Sequence, residues 1–236
     1  MHETARFEIW LKGKSAEINF QQKELDALKN TGTCIVVCNR FNAKYEDAIV
    51  STVIGKAFAD YVLITTNKKS ASYLDDKNIL YLKKAALDSW GNVRTAIAET
   101  IQSKLEKNKS IVIFPSRPFS RFGFERMNWD KEIVATIQQM NMPVVPLFFK
   151  SSSLTDKVAL FFDVFQKNKK LELNVRIGKA IKPDELKKFS GPKQFRRYLF
   201  TKTYALGSSL EVEKFYHATT SKRQEIIGTI SGSKKA

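Results

Sequence analysis

Histidine is nearly missing from this chain. Among 236 residues there are two, His2 and His217, both near the termini. A general base with an ordinary pKa near neutrality therefore has no imidazole candidate in the body of the sequence. Cysteine is equally scarce. Cys34 and Cys38 lie in one apolar run, and on a strand that spacing turns both side chains to the same face, too far apart for a bridge. Two buried free thiols in a reducing cytoplasm are expected. No apolar run approaches the ~18–20 residues that span a bilayer. The start, MHETARFEIWLKGK, lacks the apolar centre of a secretory signal. Zinc-finger spacing, an aromatic RNA-binding signature and a basic region feeding heptads are all absent, and no internal repeat is found.

Negative charge is in deficit. Lys and Arg number 40 against 24 Asp and Glu, a formal net charge of +16. Such an excess favours anionic partners: nucleic acid, an anionic membrane leaflet or phosphorylated ligands. The basic residues are spread along the chain, with clusters at Lys167–Lys170, Lys187–Lys188 and Arg196–Arg197. Without a nucleic-acid motif, a membrane surface or an anionic small molecule ranks ahead of DNA.

At 43% hydrophobic the chain can bury a full core as one domain. Residues 21–30 read as a helix with Leu25 and Leu28 inward, and residues 33–38, TCIVVC, as an apolar strand. Tyr45 to Phe58 has a helical pattern, and 61–65 and 79–82 look like strands. From Ser89 to Lys107 the stripe Trp90, Val93, Ile97, Ile101, Leu105 marks a helix, started at Asp88 or Ser89. Strand 111–114, a helix around Ile133, Val134, Ile137 and Met140, strand 144–149, alternating strand 171–177 and helix 193–206 follow, with Phe195, Tyr198, Leu199 and Leu206 to pack. This alternation predicts an α/β fold, a mostly parallel central sheet flanked by helices. The expected organisation is an N-terminal helical segment over 1–30, an α/β domain over 31–216 and a basic, Ser/Thr/Gly/Lys-rich flexible tail over 217–236.

Two strands end abruptly in polar residues, as when a buried strand delivers its carboxyl end to a site. They are Cys34 to Asp47, CIVVCNRFNAKYED, and Ser110 to Arg121, SIVIFPSRPFSR, about seventy-five residues apart. The pair resembles the two signature blocks of the glycerophospholipid acyltransferase family, particularly its bacterial hemolysin-like branch. Asn128-Trp129, PVVPLFFKSSS at 143–153, VRIGKAI at 175–181 and YALGSSLEVEKFY at 204–216 resemble the same branch in the same order, so the likeness covers roughly residues 30–216. It implies a glycerol-3-phosphate acyltransferase-like sheet. It also implies an acyl-CoA or acyl-carrier-protein donor, a lipid-like hydroxyl or amine acceptor, and no bound cofactor or metal.

The likeness fails where the family's chemistry sits. The family has a catalytic histidine after its asparagine and a later aspartate that orients the imidazole. Here Asn39 is followed by Arg40, and the acids Glu46 and Asp47 stand one position farther on than in the family. Arginine holds its proton at any working pH and cannot act as the base. Glu46 or Asp47 folding back on Arg40 as an ion pair is one reading, and a guanidinium turned to hold phosphate or carboxylate is another. Rescue by His217 and a Cys38 nucleophile are remoter alternatives.

In the second block, whose family counterpart binds the acceptor's phosphate, Phe114, Pro115, Ser120 and Arg121 match. Arg117 replaces glycine and Pro118 replaces glutamate, with Ser116 at the small position between. Arg117 and Arg121 suit a phosphate, or are simply solvated at a strand-end loop. The Phe-rich segments 147–149 and 159–165 read as core packing, or else as an acyl groove or membrane-facing lip flanked by Lys150, Lys167, Lys169 and Lys170.

Two functional readings follow, with a pseudoenzyme placed first. It would hold an acyl donor or anionic lipid, peripheral to the inner face of the membrane in the cytoplasm, and dock an active partner enzyme. The alternative is an active acyltransferase with an unconventional site. A basic nucleic-acid binder comes last.

Overall fold

A strand with an apolar side chain at every position needs cover on both faces. Ile35–Cys38 (β2) has it, and all four residues are fully buried. The computed structural model of the chain describes residues 16–40, 46–65, 78–81, 90–105, 108–116, 129–151 and 171–207. In it β2 is the central strand of a seven-stranded sheet. The others are β1 (Ala16–Phe20), β3 (Tyr61–Thr65), β4 (Ile79–Tyr81), β5 (Ser110–Ile113), β6 (Val144–Ser151) and β7 (Leu171–Ile177). Their order is β1-β7-β6-β2-β5-β3-β4, and every pairing is parallel except β6 with β7. This is the mostly parallel α/β sheet that the alternation of elements predicts.

The helices among the described residues are α1 (Gln22–Lys29), α2 (Glu46–Ala57), α3 (Trp90–Leu105), α4 (Lys131–Gln139), α5 (Pro183–Leu186) and α6 (Pro192–Ala205). All but the one-turn α5 lie within two residues of the expected spans. Leu25 and Leu28 are buried on α1, Ile97 and Ile101 on α3, Ile133, Val134 and Ile137 on α4, and Phe195 and Leu199 on α6. Of the expected α3 stripe, the side chains of Trp90, Val93 and Leu105 lie outside the described residues, as do Asp88, Ser89 and Lys107.

The sheet divides the core in two. Cys34, Val36 and Cys38 face α1 and α2 with Ile49 and Val53, while Ile35 and Val37 face α3, α4 and α6. Both cysteines are buried free thiols on one face, as their spacing implies.

One strand differs from expectation. Residues 16–20, placed by sequence in an N-terminal helical segment, are a strand, and the helix starts only at Gln22. Ile18 and Phe20 alternate with Glu17 and Asn19, a period of two, and pair in register with β7 from Ala16↔Leu171 to Phe20↔Val175. Glu24 of α1 anchors this edge. Its Oε1 accepts from Arg176 Nε at 2.8 Å, and its Oε2 accepts from the Ile177 N–H at 2.8 Å. At the same end of β7, Gly178 lies against β6: a Cβ there would stand 2.7 Å from Pro146 Cγ.

Topology sets the position of the site. The chain leaves the carboxyl end of β2 for α2 on one face, and from β5, the adjacent strand, it goes on to α4 on the other. In open α/β sheets this switch point is where ligands bind.

Candidate functional site

The two sequence blocks, distant along the chain, meet at that point. The β2–β5 register runs Ile35↔Ile111 to Val37↔Ile113, so Asn39 and Arg40 emerge beside Pro115 and Ser116. Asn39 seals the other flank of β2. Its Nδ2 donates to the Phe149 carbonyl at 3.1 Å, and its Oδ1 accepts from the Phe149 N–H at 2.9 Å. A side-chain amide here continues the ladder to β6 where the backbone of β2 turns away.

Arg40 is 8% exposed and committed on three sides. Nη1 donates to Glu46 Oε1 in an ion pair, Nε donates to the Ser116 carbonyl at 3.2 Å, and the guanidinium carbon lies 4.9 Å over the Phe114 ring. Alternation along β2 explains the direction. Val36 and Cys38 face α2, and so does the next residue in that phase, Arg40. It finds Glu46, the first residue of α2, where the helix N-terminus also favours an anion.

Asp47 is equally buried but goes elsewhere. Its Oδ2 accepts from the Thr65 hydroxyl at 2.5 Å, tying the start of α2 to the end of β3. The two adjacent acids are thus divided between two partners. Thr65 was missed by sequence reasoning; its only signal is a hydroxyl closing an otherwise apolar strand, YVLIT.

The second block is fixed at its near end. Phe114 and Ser116 are buried. Ser116 forms an antiparallel bridge with Trp129, and the Asp130 N–H donates to the Pro115 carbonyl at 2.7 Å. Asp130 then caps α4, its Oδ1 accepting from the N–H groups of Glu132 at 2.9 Å and Ile133 at 3.2 Å. Arg196 of α6 donates to the Trp129 carbonyl at 3.2 Å. The segment between Ser116 and Trp129 therefore leaves and returns at one stapled stem. Arg117, Pro118, Ser120, Arg121 and Asn128 lie on it, outside the described residues. So do His2, His217, residues 159–165, Lys167, Lys169 and Lys170, and the expected flexible tail over 217–236.

The described part of the site ties the ends of the two blocks together around a buried ion pair. The Arg40 guanidinium faces the Glu46 carboxylate. Cys38 is fully buried in the apolar cluster, which gives a nucleophile no approach to substrate. Burial pushes the Cys34 thiol up to about 12, against the opposing pull of its contact with Ser110. The Ser116 hydroxyl, fully buried beside the Arg40 contact, has no hydrogen-bond partner among the described residues. Among those residues no group of three or more His, Cys, Asp or Glu is placed to hold a metal, and no helix is long and apolar enough to cross a membrane. No protein-family model matches the chain, and no curated protein is significantly similar to it.

Proposed function

We propose that this chain is a degenerate acyltransferase-like protein. It holds an acyl thioester, an anionic lipid-like acceptor or both at the membrane surface on the cytoplasmic side, without histidine-dependent transfer. A role beside an active partner enzyme belongs to the same reading. The observation that carries it is the locked Arg40–Glu46 pair. At the position where the resemblance calls for a histidine supported by an acid, a guanidinium is supported by an acid, so a fixed charge pair replaces a proton relay. The meeting of both signature blocks on adjacent parallel strands supports the acyltransferase likeness. Arg117 and Arg121 remain the residues proposed to face an acceptor phosphate, and acyl-CoA or acyl-carrier protein the proposed donors.

The test is acyl transfer by the purified full chain, offered acyl-CoA and acyl-carrier-protein donors with lysophospholipid and amine acceptors, beside Arg40→Ala. Saturable binding of donor or lipid without turnover is expected. Turnover that disappears in Arg40→Ala would establish an enzyme with an unconventional site. Neither binding nor turnover would remove the acyltransferase-like reading altogether.

A further inference from the structure

Charge is not shared evenly between the described segments that flank the sheet. Residues 16–40 and 46–65, which supply α1 and α2 on one face, contain four Lys or Arg and six Asp or Glu. Residues 179–202, which supply α5 and α6 on the other, contain eight Lys or Arg against only Asp184 and Glu185. Among the described residues the α5–α6 segment is therefore basic and the α1–α2 segment slightly acidic.

The basic side is also free to act outward. Lys182, Lys187, Lys188, Lys193 and Arg197 are exposed. Lys187 has a long contact of 3.7 Å with Asp184 in which both side chains are solvated, and such a pair contributes little. The other four form no ion pair among the described residues. Lys193 and Arg197 are four apart on α6 and share its outer stripe, opposite the buried Phe195 and Leu199. Between the cations sit two half-buried rings. Phe189 and Tyr198 lie 4.7 Å apart, and the Tyr198 hydroxyl contacts Glu185 at 3.4 Å, which binds the end of α5 to the first half of α6. The result is a surface of cations around partly exposed aromatics, carried on well-packed helices.

We infer that the α5–α6 surface is a docking face for an anionic lipid bilayer. Cations on long stems reach the headgroup phosphates while rings settle at the headgroup level, and a local excess of several charges gives useful binding to an acidic leaflet. A nucleic acid would instead call for a groove or a row of stacking rings, and here Phe189 is tilted against Phe195 and Tyr198 while Lys202 lies over the Tyr198 ring. The inference builds on the membrane-surface part of the proposed function but uses none of the strand-end residues.

The experiment is co-sedimentation of the full chain with vesicles of phosphatidylcholine alone and of phosphatidylcholine mixed with phosphatidylglycerol. The wild type partitions onto the mixed vesicles only, and added salt releases it. Lys187→Glu/Lys188→Glu/Lys193→Glu/Arg197→Glu lowers partitioning by about tenfold or more. The corresponding Gln variant falls between, and circular dichroism checks that both are folded. Unchanged partitioning of the Glu variant overturns the inference. So does a wild type that ignores mixed vesicles, including one that binds a mixed-sequence RNA instead. These vesicles contain no lysophospholipid or thioester, so a loss of donor binding elsewhere would sink the acyltransferase-like reading and leave this surface standing.

Discussion

Arg40 and Glu46 form an ion pair out of reach of bulk water, with side chains 7% and 0% exposed. Charges so placed are stable only together. Glu46→Leu strands a buried guanidinium and is expected to cost about 3–5 kcal/mol, with Arg40→Met similar. The double variant Arg40→Met/Glu46→Leu should cost less than either single change, because no charge is left behind. Urea midpoints of the four proteins check this, and additive losses would show that the two side chains act independently.

The Asn39 side chain bonds both the N–H and the carbonyl of Phe149. Asn39→Leu leaves a buried N–H and a buried carbonyl without these bonds, a loss of about 2–4 kcal/mol. Asn39→Asp retains the acceptor and should be milder. Hydrogen exchange at the Phe149 amide, faster in Asn39→Leu than in Asn39→Asp, is the direct readout.

The Cys34 thiol gives a pH dependence of known sign. Folding raises its value from 9.0 to about 12. Below pH 9 it is protonated in both states and contributes no slope. Between about pH 9 and pH 12 the unfolded chain holds fewer protons, so stability falls as pH rises. Cys34→Ala should flatten that part of the decline. Equal slopes for the two proteins, from urea midpoints at about pH 8 to pH 11, would contradict the burial of the thiol.

Gly178 accepts no side chain cheaply. The close neighbour of an added Cβ is a proline ring, and the Gly178 N–H is bonded to the Pro146 carbonyl at 2.8 Å, which keeps the two strands together. Gly178→Ala is expected to destabilise by about 1–3 kcal/mol through overpacking. A neutral effect, measured by thermal unfolding, would mean that β6 and β7 separate there without cost.

Elements with a full period could be read from the sequence. Ile97–Ile101 and Leu173–Val175–Ile177 each repeat at the spacing of one buried face, and that repetition survives in the fold. β1 could not be read, because Ile18 and Phe20 are only two apolar positions and acquire meaning from β7. For the site, the sequence admits an ion pair with Arg40 but does not choose Glu46 over Asp47. That choice depends on Thr65 claiming Asp47, a contact 18 residues away. Strand order was hidden for the same reason: β5 enters between β2 and β3, and no local pattern specifies an insertion.

The pairing of β1 with β7 has a consequence during synthesis. Ala16 is made long before its partner Leu171. At a ribosomal rate of about 5–20 residues per second, the delay is on the order of 10–30 s. Throughout it β1 is a strand without a neighbour, and β2 too awaits β5 and β6. The first strand among the described residues is therefore among the last to be paired. A nascent chain stalled before residue 171 presents Ile18 and Phe20 to whatever else in the cell binds an open edge.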